Sequence, residues 1–243
     1  FSKLFIVKPV SLIIKSVNFI ALTRWVVKAT KRRDNKYMKD QRVSDVSTIL
    51  FDLGGVLFQL SGAAIVCQWT RDRLTPPELM NKWLVSPAVR AFESGRIGFA
   101  EFRAQLKEEL KLAVTDDEFT TVFNGWITGV FPGAEDLLER LSSRYGLACF
   151  SNTNVVHWEI LTGDYAVLDY LDQTFASFQM GLVKPDAEAF AYVVEKLGVP
   201  AGSIVFLDDS QPNVEAALAC GLRAFRVAGV DGVASALTGA GLL

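Results

Sequence analysis

Four short apolar runs divide the chain from residue 46 onward, and each one stops at polar or glycine residues. The runs cover residues 47–51, 147–150, 203–207 and 223–227, and residues 173–177 form a candidate edge strand. Runs of this length with little alternation are typical of strands that are buried on both faces of a sheet.

Segments with helical periodicity lie between these runs, at 134–144, 186–197 and 213–220. Strands that alternate with helices predict an α/β fold, a Rossmann-like parallel sheet with helices on both faces. In such sheets, ligands bind at the carboxyl ends of the strands.

The segment 62–130 interrupts the alternation and contains only helical patterns, at 62–74, from 76, at 99–112 and at 116–126. It follows the first strand, so we expect a small helical cap over the strand ends. The predicted core domain comprises residues 43–61 and 131–243, and the predicted cap comprises residues 62–130.

Charge separates residues 1–42 from the rest of the chain. This extension carries 11 Lys/Arg and two acids, whereas the remainder has 14 basic and 25 acidic residues, a net charge of −11. The extension is either a basic amphipathic helix on a membrane surface or non-native sequence before Met38, and we favour the second. Membrane contact is expected only if residues 1–37 are genuine. The acidic remainder argues against nucleic acid as a partner.

Three cysteines, Cys67, Cys149 and Cys220, are widely spaced and odd in number. This pattern favours neither a disulfide framework nor a zinc site, and it predicts a reducing, cytoplasmic location.

Polar residues follow three of the predicted strands: Asp52, Ser151 and the pair Asp208-Asp209. Hydrolysis of a phosphate monoester needs a nucleophile, neutralisation of the phosphoryl charge and a proton for the leaving group. Asp52 could attack phosphorus. Asp208 and Asp209 provide the oxygen ligands that Mg²⁺ prefers, and only one of them should bind it directly because adjacent side chains diverge.

Two further segments could hold the phosphoryl group. Lys184, fixed by Pro185, could bridge phosphate and carboxylates, and the Ser151 hydroxyl and the Asn152 backbone N–H could donate to phosphoryl oxygens. Taken singly, such residues are more often turns or helix caps. Their order on successive strand ends favours a functional site.

Four segments carry a resemblance to the haloacid dehalogenase-like (HAD) superfamily. They are Phe51-Asp52-Leu53-Gly54-Gly55-Val56-Leu57, Ser151-Asn152-Thr153-Asn154, Val183-Lys184-Pro185-Asp186 and Phe206-Leu207-Asp208-Asp209-Ser210-Gln211-Pro212-Asn213. The insertion resembles the helical-cap subfamily that contains epoxide hydrolase phosphatase domains and bacterial sugar-phosphate phosphatases.

The resemblance implies a Mg²⁺-dependent phosphatase acting on a small phosphorylated metabolite, with a sugar phosphate favoured. It implies that Asp52 is the nucleophile and a metal ligand, that the Gly54 carbonyl and Asp209, with Asp208 beside it, complete the metal site, and that Ser151, Asn152, Gly55 and Lys184 bind phosphate.

One position departs from the family pattern. Most phosphatases of the superfamily carry a second Asp, the general acid/base, where this chain has Gly54. His157, the only histidine, could replace it, although packing or capping near a helix start is the simpler interpretation. In the insertion, Phe92, Glu93, Arg96 and Trp126 could face the substrate, although packing within the insertion is again simpler.

Two alternatives remain open. A 2-haloacid dehalogenase also uses an aspartate nucleophile but needs no metal, which would leave Asp208-Asp209 unexplained. A catalytically silent module that binds a phosphorylated ligand or a protein is compatible with Gly54. The pattern indicates neither the oligomeric state nor the particular ester.

Overall fold

The computed structural model describes residues 45–70 and 74–243. The predictions for residues 1–42, including Met38 and the membrane-surface helix, lie outside the described residues. No helix within the described ranges is long and apolar enough to cross a membrane.

A five-stranded parallel sheet forms the centre of the fold, in the order β5-β4-β1-β6-β7. The strands of the described chain are β1 (Thr48–Phe51), β2 (Phe58–Leu60), β3 (Ile127–Val130), β4 (Gly146–Ser151), β5 (Gln173–Ala176), β6 (Ile204–Asp208) and β7 (Arg223–Arg226). All five predicted core strands are present, so the α/β sheet prediction is confirmed. Strand β1 is central between β4 and β6, which brings the three predicted polar strand ends to one edge.

Helices cover both faces of this sheet. They are α6 (Ala134–Ser142), α7 (Val155–Asp164), α8 (Ser177–Met180), α9 (Ala187–Leu197), α10 (Gln211–Ala219) and α11 (Gly229–Gly239). Alternate residues of β1 point to opposite faces. Phe51 packs in one apolar cluster with Leu138 and Val233, while Leu50 packs in another with Phe190. Buried side chains on both faces explain why the strands read as continuous apolar runs.

The described part of the insertion contains five helices: α1 (Gly62–Trp69), α2 (Pro76–Val85), α3 (Pro87–Glu93), α4 (Phe99–Leu110) and α5 (Asp116–Asn124). They enclose a separate aromatic core, in which the rings of Phe92 and Phe102 stack with centroids 4.4 Å apart and Phe119 stacks on Phe123. The insertion therefore has packing of its own.

The prediction that residues 62–130 are only helical is wrong at its end. Residues 127–130 form β3, which pairs antiparallel with β2 and places Phe58 opposite Val130. The two strands are too short, and too far apart in sequence, for periodicity to reveal their pairing. This two-stranded ribbon joins the insertion to the core.

Candidate active site

Three carboxylates meet at the carboxyl edge of the sheet. Asp52 follows β1, Asp208 ends β6 and Asp209 comes next, and one oxygen from each lies within 4.8 Å of the others. The parallel register of β1 and β6 brings them together, because Phe51 lies opposite Leu207 and the Asp52 N–H donates to the Leu207 carbonyl at 2.8 Å. The predicted acidic cluster is therefore present.

Lys184 lies in the middle of this edge and is almost completely buried. Its ammonium group donates to Asp52 Oδ1 at 2.9 Å, to Asp208 Oδ2 at 2.7 Å and to the Phe150 carbonyl at 2.8 Å. These three acceptors account for all three ammonium hydrogens. Lys184 thus bridges two carboxylates, and the predicted contact with a phosphoryl group would have to replace or share one of these bonds.

The two adjacent aspartates differ in surroundings. Asp208 is fully buried, and its oxygens accept from Lys184, from the Ser210 N–H and from the Asn213 amide. Asp209 is exposed and lines the cavity described below. Only Asp209 therefore has a carboxylate open to a ligand, in line with the predicted divergence.

Charge at this edge is unbalanced. Burial raises the pKa of Asp52 to about 7, against the opposing effect of Lys184, and Asp208 and Asp209 raise it further. Burial also raises the pKa of Asp209. Burial alone would lower the pKa of Lys184, but Asp208 and Asp52 raise it to about 12. One ammonium thus faces three carboxylates, a site that would be stabilised by additional positive charge.

Ser151 is the last residue of β4, and Asn152 begins the loop after it. Both line the cavity, and Ser151 is buried with its hydroxyl at the strand end. The Asn152 side chain accepts from the Lys184 N–H at 2.8 Å and donates to the Lys184 carbonyl at 2.9 Å. Its amide therefore fixes the backbone of Lys184, a role that the sequence pattern did not indicate.

Gly55 serves a different purpose from the predicted phosphate contact. Its N–H already donates to the Phe58 carbonyl at 2.8 Å, so that group is not free for phosphate. Its φ is +73°, and a Cβ there would lie 2.5 Å from Asp209 Oδ2. Glycine is required here for the turn and for the close approach of Asp209. At Gly54 a Cβ would meet the end of the Leu60 side chain at 2.9 Å.

A cavity of about 650 Å³ opens over these residues and is lined by both the core and the insertion. The insertion contributes three polar side chains, those of Asn81, Arg90 and Glu93. It also contributes the apolar side chains of Met80, Trp83, Leu84, Val85, Val89 and Trp126. Leu84 and Val85 are also strongly exposed, which places them at the mouth. An ion pair between Arg90 and Asp186 connects the insertion to the core beside the cavity.

His157 joins core and insertion through both ring nitrogens. Its Nε2 lies 2.8 Å from the Phe123 carbonyl, its Nδ1 lies 3.2 Å from the Asn154 amide nitrogen, and its ring stacks on Phe123. This network assigns the proton to Nε2. Burial lowers the pKa of His157, so the ring is neutral at pH 7. The packing interpretation fits these contacts better than the acid/base one.

Of the four residues of the insertion that were predicted as possible substrate contacts, two line the cavity and two do not. Glu93 and Trp126 line the cavity, whereas Phe92 is buried in the aromatic core and the Arg96 guanidinium donates to Ser94. Sequence reasoning gave no role to Asn213, which holds Asp208, although it lies in one of the quoted segments.

Residues 46–221 match the family of haloacid dehalogenase-like hydrolases, and this match spans most of the chain. The chain belongs to this family and is a hydrolase.

Two relatives of this chain are phosphatases. The chain is 25% identical over 188 residues to a D-ribitol-5-phosphate phosphatase of Bacteroides thetaiotaomicron, covering 74% of this chain and 91% of the relative. It is 29% identical over 177 residues to a sesquiterpene phosphatase of Aspergillus oryzae, covering 71% and 85%. A HAD family enzyme of B. thetaiotaomicron, solved with magnesium and inorganic phosphate, superposes with a TM-score of 0.61 at 28% identity, covering 75% and 94%.

Proposed function

We propose that the protein is a Mg²⁺-dependent phosphatase that hydrolyses a small phosphate monoester through an aspartyl-phosphate on Asp52. The observation that carries this proposal is the group of buried Asp52, buried Lys184 and exposed Asp209 at the floor of a cavity that can admit a small organic phosphate. The two phosphatase relatives and the magnesium and phosphate complex of the B. thetaiotaomicron enzyme support it.

The donor set fits a hard divalent cation. Asp52, Asp209 and the Gly54 carbonyl would hold Mg²⁺, since this ion prefers a few carboxylate and carbonyl oxygens and retains waters. The raised pKa of Asp52 supports this assignment, because buried carboxylates in excess of cations favour protonation unless positive charge is added. When bound, the ion would neutralise charge on the phosphoryl oxygens.

The residues of the chain then have distinct tasks. Lys184 holds Asp52 Oδ1, which leaves Oδ2 as the attacking oxygen. The Ser151 hydroxyl and the Asn152 N–H donate to phosphoryl oxygens, while Asp208 and the Asn152 side chain keep Lys184 in place. Attack by Asp52 forms the aspartyl-phosphate and breaks the bond to the leaving oxygen, and water then releases inorganic phosphate.

We assign the helical insertion, α1 to α5, the role of a cap that selects the substrate. It contributes the apolar side chains of Met80, Trp83 and Val89 to the cavity, and Leu84 and Val85 lie at the mouth. This lining favours an ester whose organic part has apolar surface over a fully hydroxylated sugar phosphate. The sesquiterpene phosphatase relative supports the first class, and the ribitol-5-phosphate phosphatase relative supports the second.

The remaining alternatives make different demands. A dehalogenase would not need the acidic cluster around Asp52. A silent binding module would not need an aspartate that is buried and held by Lys184. Both are therefore weaker proposals than the phosphatase.

Phosphate release from a panel of phosphate esters, with Mg²⁺ and with chelator, tests the proposal. We expect Mg²⁺-dependent turnover that Asp52→Asn abolishes and that the surface variant Asp169→Asn leaves intact. Turnover of a 2-haloacid in chelator would instead identify a dehalogenase, and a folded protein with no turnover of any ester would indicate a binding module.

A further inference from the structure

Release of an alkoxide from a phosphate ester needs a proton donor, and the cavity offers few. Gly54 has no side chain, both ring nitrogens of His157 are engaged, and Lys184 uses all three hydrogens on protein acceptors. Among the described residues that line the cavity, the carboxyl groups belong to Asp52, Asp209 and Glu93. The first two belong to the acidic cluster, which leaves Glu93.

Glu93 is the last residue of α3 and reaches the cavity from the insertion side. Its backbone is fixed to the core, because the Ser177 hydroxyl donates to the Glu93 carbonyl at 2.6 Å and accepts from the Thr153 N–H at 2.9 Å. The next turn also lies against the core, since a Cβ at Gly95 would come within 2.4 Å of the Phe178 carbonyl. These contacts place the backbone of Glu93 beside the loop that follows Ser151 and carries Thr153.

The surroundings of Glu93 suit proton transfer near neutral pH. Burial raises the pKa of Glu93 to about 7, while a hydrogen bond from the Trp83 side chain and the charge of Lys184 lower it and Asp52 raises it. Lys184 and Asp52 are the charged groups of the core that act on it, and Arg90 on the same helix is paired with Asp186. Among the described residues, no salt bridge holds the Glu93 carboxylate in its charged form. Both protonation states are therefore accessible, as a general acid/base requires.

We propose that Glu93, supplied by the insertion, is the general acid/base of the phosphatase reaction and takes the place of the side chain that Gly54 lacks. As Asp52 attacks phosphorus and the ester P–O bond breaks, the proton of the Glu93 carboxyl moves to the leaving oxygen and gives a neutral alcohol. The resulting carboxylate then takes a proton from the water that attacks the aspartyl-phosphate, which releases Asp52 and inorganic phosphate. This inference rests on the proposed function.

A series of leaving groups tests the role of Glu93. Benzyl, phenyl and 4-nitrophenyl phosphate are similar in size, but the departing oxygen becomes less basic along the series and needs less protonation. In Glu93→Gln, kcat/KM for benzyl phosphate should fall by about 10²-fold or more, and that for 4-nitrophenyl phosphate by less than about fivefold. Glu93→Gln should also give a burst of 4-nitrophenol equal to the enzyme concentration, because the second step has lost its base.

Glu101→Gln is the matched control, since Glu101 lies on α4 of the same insertion, is exposed and accepts a hydrogen bond from Gln105 on the same helix. Should Glu93→Gln fail to fold, the same esters are compared in Glu93→Asp. In that variant, kcat/KM should fall more for benzyl phosphate than for 4-nitrophenyl phosphate. An equal loss for all three esters, or none, would overturn the role of Glu93. A wild-type protein that hydrolyses none of them would instead overturn the proposed function.

Discussion

The carboxylate of Asp52 is buried by the fold itself, without a bound ligand. Its pKa of about 7 means that, between pH 4 and 7, the folded chain holds a proton that the unfolded chain has released. Because Asp52 holds a proton in the folded state over this range, its contribution to the stability of the fold must fall as pH rises from 4 to 7 and then level off. The proposed nucleophile thus carries a cost in stability in the absence of a cation.

Replacing Asp52 should remove this cost. In chelator, we expect Asp52→Asn to melt above wild type at pH 7.5, with a difference that shrinks as pH falls toward 4. Thermal melts from pH 4 to 8 measure it, with the exposed Asp169→Asn as the control. A difference in melting temperature that does not change with pH would contradict the assignment of the raised pKa to Asp52.

Lys184 has the opposite effect on stability. Lys184→Met would leave Asp52 and Asp208 buried without their shared cation, and loss of one partner from a buried ion pair costs roughly 3–5 kcal/mol. Urea denaturation at pH 7.5 should show a loss of this order. Lys196→Met, on the surface of α9 beside Tyr192, is the control. A loss no greater than that of the control would show that Lys184 is not needed to balance the site.

At the scale of elements, helix α7 connects the strand-end loop to the insertion. Asn154 caps it by accepting from the His157 N–H at 3.1 Å, and the His157 ring bonds the Phe123 carbonyl at the end of α5. The sequence places a histidine near a helix start, but it cannot show that the ring reaches an element 34 residues earlier. That distance is why the acid/base and packing interpretations both remained open.

The packing role of His157 makes a clear prediction. His157→Ala should lower the free energy of unfolding by about 1–3 kcal/mol, because it removes a buried hydrogen bond and a ring contact. Its kcat should change far less than the roughly 10²–10⁴-fold expected of a general acid/base. Thr162→Ala, exposed on the same helix, is the control for stability. A kcat loss of about 10²-fold at unchanged stability would restore His157 as the acid/base.

Elements differ in how far the sequence predicts them. Strands such as Gly146–Ser151 are predictable because both their faces are buried, so their composition alone marks them. Helix α3 follows α2 after only Ser86, which caps it, so its apolar positions merge with those of its neighbour. The position of Glu93 was equally hidden, because its backbone carbonyl is held by a bond from Ser177, 84 residues later.

On the scale of the whole molecule, the site combines two chemically different halves. The core supplies the charged floor with Asp52, Asp209 and Lys184, and the insertion supplies the apolar wall with Met80, Trp83, Leu84, Val85 and Trp126. In the proposed mechanism, the floor contacts only the phosphoryl group, which all phosphate monoesters share. Selection among esters must therefore come from the wall. The sequence of the insertion predicts that its apolar residues are packed together, but it does not predict which of their side chains face the cavity.

The apolar wall predicts which esters are preferred. Hexyl phosphate and glucose 6-phosphate both release a primary alcohol, so their chemistry is matched and their organic parts differ mainly in polarity. Burying about 100 Å² of apolar surface at roughly 25 cal/mol per Å² is worth about 2.5 kcal/mol, so kcat/KM should favour hexyl phosphate by at least about tenfold. Leu84→Asn, at the mouth of the cavity, should reduce this preference through KM, and the exposed Leu218→Asn on α10 should not. Equal kcat/KM values in the wild type would mean that the polar residues of the insertion, Asn81 and Arg90, dominate recognition, and the preference for a sugar phosphate would then stand.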